Sequence, residues 1–509
     1  MREQDCKAKM SKKIVNIQRV SLLQYSFARS TPDAKRSVAQ ALTYENPNKY
    51  DLYRKKEMFS KVDFTFFVGL LPDVIGYCRA HNIQYYVDDW VFDNRQLQID
   101  ERLTGKYQHQ ADAVKAFFKR RVGILKVPTR GGKTFIASEI LRQFLLAESE
   151  GTFLFTVDTE DLFRQAMGDI QSFFEPYGGI EIGEIRGGVW EPRRVTIAMV
   201  QTLQRAATGS AARKRELKNL LMSVKFLTVD EIHDNCSKPR MDLFKKCKNI
   251  SYQLCLSATP YRAEAWYPNL KLRAWSGDII YEIDEKVLQQ RMVLTQYEVM
   301  MLCIDHESQP YAGMVGDYRE LQDAIIHNNR LRNNVLLMVT ALVKKLGLKT
   351  LVLFQSVEHG KWYSAHTGIP FIWGSTTAAE RDEEKRRFLA SDGGLLAASG
   401  IFKKGVTLPA AQIMINVDGG LEDANTVQKK GRVLGYIDGK DVSAIIDFVD
   451  VYEQYFSDHS SSRLQTYLDA VGERGVHIVD AVADGWIKTV EQWLRNWFHV
   501  EKNDSIVTR

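Results

Sequence analysis

Short apolar runs of strand length alternate with helical segments through most of the chain. Two series of runs occur, at residues 122–127, 153–157, 226–229 and 254–256 and at residues 351–354, 395–398, 413–417 and 442–448. Between the first two runs, Ile136, Ile140 and Phe144 recur at the spacing of one helix face. Continuous apolar strands alternating with helices indicate parallel sheets that are covered on both faces. We therefore predict an α/β fold with two tandem parallel-sheet domains.

The two ends of the chain depart from this pattern. An apolar run at 64–71, a helical segment at 72–81 and an acidic strand at 85–89 predict a small N-terminal α+β domain. After residue 455 the pattern is helical, and we expect Trp486, Trp493 and Trp497 to pack on the preceding domain. The predicted domains are N-terminal α+β at 1–100, first α/β at 101–295, second α/β at 296–454 and a helical C-terminal extension at 455–509.

Composition fits a folded chain of several domains. The chain has 509 residues, of which 45% are hydrophobic and 26% are charged. It has no apolar stretch near the roughly 18 residues of a membrane span and no apolar segment after its N-terminal charges, so we expect neither membrane insertion nor secretion. Six cysteines without a C-x-x-C pair indicate reduced thiols and a cytoplasmic location.

The N-terminal region carries the basic excess of the chain. Residues 1–60 contain 13 Lys and Arg against 6 Asp and Glu, whereas the formal net charge of the whole chain is +6. A patch formed by Arg54, Lys55 and Lys56 is interleaved with aromatic side chains. Such a patch predicts a surface that binds a polyanion, and we assign it to duplex DNA. A solvated basic face without a partner is the alternative.

A glycine-containing loop separates the first apolar run from the helix that follows it. Its sequence, Lys126-Val-Pro-Thr-Arg-Gly-Gly-Lys-Thr134, fits G-x-x-x-x-G-K-[ST] except that Val127 occupies the first glycine position. Such a loop offers backbone N–H groups to phosphate, a lysine to the outer phosphates and a hydroxyl to Mg²⁺. The pattern predicts an ATP site that uses the loop residues Thr129, Gly131, Gly132, Lys133 and Thr134.

A second apolar strand ends in two adjacent carboxylates, in the sequence Phe226-Leu-Thr-Val-Asp-Glu-Ile-His233. Asp230 is placed to hold Mg²⁺ together with Thr134, and Glu231 to orient and deprotonate the attacking water. An acidic surface turn is the alternative, but the phosphate loop upstream favours catalysis. We predict Lys133, Asp230 and Glu231 as catalytic residues.

These two motifs, with others in the expected order, resemble superfamily 2 helicases over residues 105–450. The resemblance implies that both α/β domains are RecA-like and that ATP and Mg²⁺ are used. Further nucleotide-site and catalytic residues that it implies are Gln110, Gly405, Gln428 and Arg432, the last reaching the γ-phosphate. Residues implied to couple hydrolysis to strand movement are His233, Ser257 and Thr259.

The same resemblance implies which residues touch the nucleic acid. They are Gln165, Gln201, Thr202, Gln355, Ser356 and Thr407. Between Gln165 and Gln201, the adjacent Gly187 and Gly188 separate two short apolar runs, which predicts a β-hairpin. Trp190 near its tip is a candidate for stacking on a base; the alternative is that it packs on its own domain.

A finer resemblance is to the UvsW-type branch-migration helicases of tailed phages. It rests on Leu70-Leu71-Pro72, on Val357-Glu-His359-Gly360 and on Gly431-Arg-Val-Leu434. Three residues depart from the superfamily pattern. They are Arg130 at a usual glycine of the phosphate loop, Asp158 at a usual proline and Gly435 at the second arginine of Q-x-x-G-R-x-x-R.

The sequence therefore predicts an ATP-dependent DNA helicase or translocase. We expect it to unwind and remodel forks and four-way junctions while it tracks along a single strand. An RNA helicase is the first alternative, because it shares the motor and differs in substrate. An ATPase-impaired nucleic-acid-binding protein is the second, because Gly435 replaces an arginine.

Overall fold

A computed structural model describes residues 14–47, 55–90, 97–235, 237–262, 265–305, 316–399, 408, 410–418, 434–437 and 439–501. The chain divides into two compact units. The first unit comprises residues 1–128 and 132–283, and the second comprises residues 129–131 and 284–509. None of the helices in these described ranges has the length and hydropathy that crossing a membrane requires.

The N-terminal part of the first unit is a small sheet with two helices. Its strands are β1 (Ile14–Ser21), β2 (Gln24–Ser26), β3 (Thr43–Glu45), β4 (Lys55–Glu57), β5 (Thr65–Phe67) and β6 (Gln84–Asp88), and its helices are α1 (Pro32–Ala41) and α2 (Leu71–Ala80). Strand order is β5-β2-β1-β6, with β1 parallel to β6, and β3 pairs separately with β4. The α+β prediction for this region is confirmed.

The rest of the first unit is built on an eight-stranded sheet. Its strands are β7 (Val122–Lys126), β8 (Thr152–Val157), β9 (Gly183–Arg186), β10 (Val189–Glu191), β11 (Val195–Met199), β12 (Val224–Val229), β13 (Tyr252–Ser257) and β14 (Ile279–Glu282). The helices are α3 (Gln108–Arg120), α4 (Lys133–Ala147), α5 (Glu160–Phe174), α6 (Val200–Thr208), α7 (Ala211–Ser223), α8 (Lys238–Phe244) and α9 (Trp266–Ser276). Strand order is β10-β9-β11-β8-β12-β13-β7-β14, and every neighbouring pair except β9–β10 is parallel.

The second unit holds a seven-stranded sheet. Its strands are β15 (Gln296–Asp305), β16 (Thr350–Leu353), β17 (Phe371–Ile372), β18 (Leu395–Ala398), β19 (Ile413–Asn416), β20 (Val442–Val451) and β21 (Val476–Asp480). The helices are α10 (Glu285–Gln290), α11 (Tyr318–Gln322), α12 (Arg330–Lys345), α13 (Val357–Thr367), α14 (Ala378–Ala390), α15 (Glu453–Val471) and α16 (Trp486–Phe498). Strand order is β17-β18-β16-β19-β20-β15-β21, and all six pairs are parallel.

The two parallel sheets confirm the α/β prediction, and all eight predicted runs form strands. Their strands read as apolar because helices cover both faces; β8 and β13 are buried over their whole length. The sequence reading missed β21, which lies in the predicted helical extension and pairs with β15. This edge strand is short and partly exposed, so its apolar signal is weak. The expected packing of Trp486, Trp493 and Trp497 on the second core is confirmed.

The N-terminal sheet shares an apolar core with α9, the helix that follows β13 of the eight-stranded sheet. Leu270 and Ala274 of α9 belong to the same apolar cluster as the N-terminal strands. Arg273 of α9 donates to the carboxylate of Asp73 in α2, with one N–O distance of 3.1 Å. Gly69 approaches α9 so closely that an added Cβ would lie 1.8 Å from the carbonyl oxygen of Arg273. Burial, charge and close packing therefore fix the N-terminal sheet to the rest of the first unit.

We expect Gly69→Ala to lower the free energy of unfolding of the protein by about 1–3 kcal/mol, because the new methyl group meets backbone atoms that can move only with α9. Gly76→Ala is the matched control, since Gly76 lies within α2 and an added Cβ there meets nothing within 4 Å. The control should keep the wild-type stability or gain up to about 1 kcal/mol. Thermal and urea unfolding measure both, and equal stability of wild type and Gly69→Ala would contradict the tight docking.

Candidate nucleotide site and nucleic-acid interface

The residues predicted for ATP chemistry follow the carboxyl ends of three neighbouring strands. The phosphate loop follows β7, Asp230 follows β12, and Ser257 is the last residue of β13. β13 lies between the other two strands and pairs in parallel with both, with Leu256 opposite Leu125 and Cys255 opposite Val229. Parallel pairing places all three carboxyl ends at one edge of the sheet, which we call the carboxyl edge.

The phosphate loop needs glycine at its junction with α4. Gly132 is the N-cap of α4 and has φ of +90°. A Cβ on Gly132 would lie 2.1 Å from Nε2 of Gln110, so the buried Gln110 side chain lies against the loop. Arg130, at the usual glycine position, adopts φ of +70°. It thus keeps a left-handed backbone that costs a non-glycine residue about 1–2 kcal/mol.

A line of polar contacts runs along the carboxyl edge. Nζ of Lys133 lies 3.5 Å from Oε1 of Glu231, and both side chains are largely buried. Nδ1 of His233 lies 3.4 Å from Oε2 of Glu231 and 2.9 Å from Oγ of Ser257. The backbone N–H of Thr259 donates to the same Oγ at 3.1 Å. Residues from three separate motifs therefore form one connected cluster.

Asp230 is a buried carboxyl beside a second one. Burial raises its pKa to about 7, and the neighbouring Glu231 carboxylate acts in the same direction, whereas Lys133 opposes the shift. The backbone N–H of Glu231 donates to Oδ1 of Asp230 at 3.0 Å. Because burial makes the negative charge of this carboxyl group unfavourable, the group is a suitable ligand for a divalent cation, whose positive charge offsets it. The carboxylate of Asp230 and the hydroxyl of Thr134, at the start of α4, are both oxygen donors of the kind that Mg²⁺ prefers.

Three predicted nucleic-acid contacts, Gln165, Gln201 and Thr202, lie on the helices that follow β8 and β11. Gln165 and Thr202 are half-buried on α5 and α6. Gln201 donates through Nε2 to the backbone oxygen of Asp158 at 2.6 Å. Asp158 also pairs with Arg240 at 2.8 Å, a partner that sequence reasoning missed. Asp158, at the position of the usual proline, thus ties together the segments after β8 and β11.

The predicted hairpin is present as β9 and β10. Gly187 and Gly188 form its two-residue turn with φ of +48° and +108°, which glycine tolerates best. Trp190 is half-buried on β10, and the guanidinium carbon of Arg213 lies 4.6 Å from the centre of its ring. Trp190 packs against the core of its own unit and keeps part of its surface exposed.

In the second unit, Gln355 and Ser356 follow the carboxyl end of β16. Their backbone N–H groups both donate to Oδ2 of Asp418, with a distance of 2.9 Å from Ser356. Asp418 follows β19, the strand beside β16, and its Oδ1 accepts from Nδ1 of His359 at 2.9 Å. Sequence reasoning missed Asp418, although an acidic residue directly after an apolar strand was a usable signal.

The His359–Asp418 pair is completely buried and joined by a hydrogen bond. Nδ2 of Asn333 donates to a backbone oxygen, so its Oδ1 faces Nε2 of His359 at 2.8 Å. Both ring nitrogens of His359 therefore lie within hydrogen-bond distance of a side-chain oxygen. Burial alone raises the pKa of the Asp418 carboxyl, but the hydrogen bond and charge of His359 and the N–H of Ser356 outweigh burial and lower this pKa to about 2.

The remaining predicted residues are those of the basic patch and several residues of the second unit. Lys55 pairs with Glu45 at 3.1 Å, and Nζ of Lys56 lies 5.1 Å from the ring centre of Tyr267. Gly435 forms a backbone bridge with Leu294. Predicted residues that lie outside the described ranges are Arg54, Gly405, Thr407, Gln428 and Arg432.

Comparison with known families and proteins agrees with this geometry. The family model described as "Type III restriction enzyme, res subunit" matches residues 104–262, and the "Helicase conserved C-terminal domain" model matches residues 331–434. The DNA 3'-5' translocase XPB2 of Sulfurisphaera tokodaii is 24% identical over 77% of this chain and 91% of its own length. The ATP-dependent DNA helicase uvsW of Enterobacteria phage T4 is 20% identical over 79% of this chain and 85% of its own length.

Among solved structures, Dbp5 of S. cerevisiae bound to RNA and ADP BeF3 has a TM-score of 0.52. It is 15% identical, and the match covers 76% of this chain and 93% of that chain, which supports the tandem RecA-like fold alone. The two family models occur in the order expected for the two parallel-sheet domains. The chain is therefore a superfamily 2 helicase, an ATP-dependent enzyme that resembles the UvsW-type helicases.

Proposed function

We propose that this protein uses ATP hydrolysis to move along single-stranded DNA, and thereby unwinds and remodels forks and four-way junctions. The observation that carries the proposal is the contact line from Lys133 through Glu231 and His233 to Ser257. This line connects the groups proposed for hydrolysis to the carboxyl end of β13. In the same sheet, β8 and β11 are followed by the helices that carry the proposed DNA contacts. A change at the phosphate loop thus has a physical route to Ser257, at the carboxyl end of β13.

The hydrolytic roles follow from chemistry. ATP is the substrate, with Gln110 proposed to read the base and Lys133 to hold the outer phosphates. When bound by Asp230 and Thr134, Mg²⁺ supplies charge neutralisation at the phosphates. Glu231 orients the attacking water and accepts its proton. The further residues proposed for phosphate and transition-state contacts are Thr129, Gly131, Gly132, Gly405, Gln428 and Arg432.

The proposed DNA contacts are distributed over both RecA-like domains. They are Gln165, Gln201, Thr202 and Trp190 in the first domain and Gln355, Ser356 and Thr407 in the second. The Asp418 carboxylate supports this proposal, because it orients the backbone at Gln355 and Ser356. Binding through backbone contacts predicts sequence-independent, salt-sensitive affinity.

We propose that residues 1–100 supply the duplex grip, ahead of RecA-like domains at 101–295 and 296–454 and an extension at 455–509. The basic patch supports this assignment, and the relatives named as DNA enzymes favour DNA over RNA.

Truncation at residue 100 is not a suitable test of this duplex-binding assignment. The cut removes Leu97 and Ile99, which pack on the first core, and uncovers the apolar face of α9. Charge reversal at Lys55 and Lys56 is the suitable test.

We expect Lys133→Ala to reduce ATP turnover by at least about a hundredfold, because a group that stabilises the phosphate charge is lost. Nucleotide-free DNA affinity should stay within about twofold, since phosphate contacts to DNA lie elsewhere. Lys119→Ala, an exposed lysine on α3, is the control for loss of one positive charge. Steady-state hydrolysis within threefold of wild type in Lys133→Ala would remove the loop from the mechanism.

Glu231→Gln should retain ATP binding and lose hydrolysis by about 10²–10⁴-fold, because an amide accepts no proton from water. The ion pair with Lys133 is also lost, so ATP affinity should equal or exceed that of wild type. Equilibrium nucleotide binding and single-turnover hydrolysis separate the two effects. Normal hydrolysis in this variant would show that Glu231 is not the base.

Substrate class is tested with the full chain on matched single-stranded, duplex, forked and four-way-junction DNA and on the corresponding RNA. We expect the greatest stimulation of ATPase by single-stranded DNA and the greatest strand displacement on branched DNA. Stronger stimulation and unwinding on RNA would favour the RNA helicase. Nucleic-acid binding without hydrolysis on any substrate would favour the ATPase-impaired binding protein.

A further inference from the structure

A small cavity lies beside the β9–β10 hairpin. Its volume is about 360 Å³, and its walls include the hairpin turn at Gly188 and the side chains of Trp190, Thr202, Arg205 and Arg213. Thr202 and Arg205 lie three residues apart and therefore share one face of α6. Arg213 lies in the first turn of α7. Three elements of the first unit thus converge on one concave site.

The charge of this cavity is unbalanced. Among the residues that the structure describes, none of those lining it is acidic, and two are arginines. Arg205 is exposed. Arg213 pairs with Glu216 at 3.0 Å, but both side chains keep more than a third of their surface exposed. A net positive concave site attracts an anion, and arginine can bind phosphate oxygens through two N–H groups at once.

The aromatic wall indicates which anion fits. The guanidinium of Arg213 stacks on the ring of Trp190 at 4.6 Å. Nucleobases stack both on aromatic rings and on guanidinium planes, and the stacking tolerates any base. A free phosphate gains nothing from such a wall, whereas one nucleotide of a single strand can use the arginines for its phosphate and the stack for its base.

The position of the cavity connects it to the proposed DNA contacts. β9 runs parallel to β11, with Ile185 opposite Ala198, so the hairpin turn lies beside the start of α6 at the carboxyl edge. Thr202, a proposed backbone contact, lines the cavity itself. Arg186 forms an ion pair with Glu160 at the start of α5, which anchors the hairpin to the segment after β8. A strand that touches α6 therefore passes the cavity.

We propose that this cavity binds one nucleotide of the tracked single strand, with Arg205 and Arg213 contacting its phosphate and the Trp190–Arg213 stack contacting its base. The proposal rests on the proposed function for taking DNA as the polymer. It adds Arg205 and Arg213 to the proposed DNA contacts of the first domain. It also gives Trp190, the candidate for stacking on a base, a defined place on the path of the tracked strand.

The decisive measurement is the salt dependence of binding. Full-length protein is titrated against fluorescent single-stranded oligo(dT) at several salt concentrations, and log K is plotted against log salt. Arg205→Ala should reduce the slope by about 0.7, the contribution of one phosphate contact on a single strand. Arg215→Ala is the matched control: Arg215 is exposed on α7, outside the cavity, and its loss should leave the slope unchanged.

Trp190 gives an independent readout. Trp190→Ala should weaken oligo(dT) binding roughly tenfold, with an unchanged salt slope, because stacking rather than charge is lost. Trp190→Phe should retain most of the affinity, since a ring remains. In Arg205→Ala, the DNA concentration for half-maximal ATPase should rise while the maximal rate stays unchanged. Thermal unfolding of each variant checks that the fold is kept.

The possible outcomes separate this inference from the proposed function. If DNA does not stimulate the wild-type ATPase, the proposed function fails. If it does, but Arg205→Ala and Arg215→Ala have equal slopes, the cavity lies off the track and this inference alone is overturned. Equal affinity of Trp190→Ala and wild type, together with a reduced Arg205→Ala slope, would reject the base contact and so overturn the proposal in its stated form.

Discussion

Backbone pairing among β7, β13 and β12 is the constraint on which the candidate site depends. Because these strands are parallel and adjacent, the segments that follow them meet at one edge. Lys133 and Glu231 are far apart in sequence, and their side chains come within 3.5 Å only through this register. A slip of one residue in any of the three strands would turn a whole strand over and separate the groups. The fully buried apolar strands make such a slip expensive, so the core holds the chemistry in place.

The site at this edge carries features that a core alone would not favour. Arg130 and Glu231 both adopt positive φ, at +70° and +44°. Asp230 lies buried beside another carboxyl, which raises its pKa to about 7. Strain and unfavourable burial of this kind persist only where the surrounding structure imposes them, and they are concentrated at functional sites. Here the apolar core on the sheet stabilises the fold. The unfavourable backbone conformations and the buried carboxyl group lie at its carboxyl edge.

The docking of the N-terminal sheet changes how the basic patch is understood. This sheet shares apolar core with α9, and Gly69 packs directly on the backbone of that helix. Lys56 lies 5.1 Å from the ring centre of Tyr267, which belongs to α9. The described part of the patch, Lys55 and Lys56, is therefore fixed to the first unit rather than tethered as an appendage. If residues 1–100 bind duplex DNA, the bound duplex moves together with the first parallel sheet.

The sequence by itself determined the two parallel sheets, the hairpin and the order of the motifs, because strand-length apolar runs and glycine turns are local signals. It also marked Lys133, Asp230 and Glu231, whose chemistry is visible in the residue types. Only the tertiary structure decided which side chains meet. The Asp158–Arg240 and His359–Asp418 pairs, the Trp190–Arg213 stack and the strand β21 all depend on contacts between segments distant in sequence. Hydrogen bonds and ion pairs act over a few ångströms in space, so no local pattern contains them, and folding alone specifies these partners.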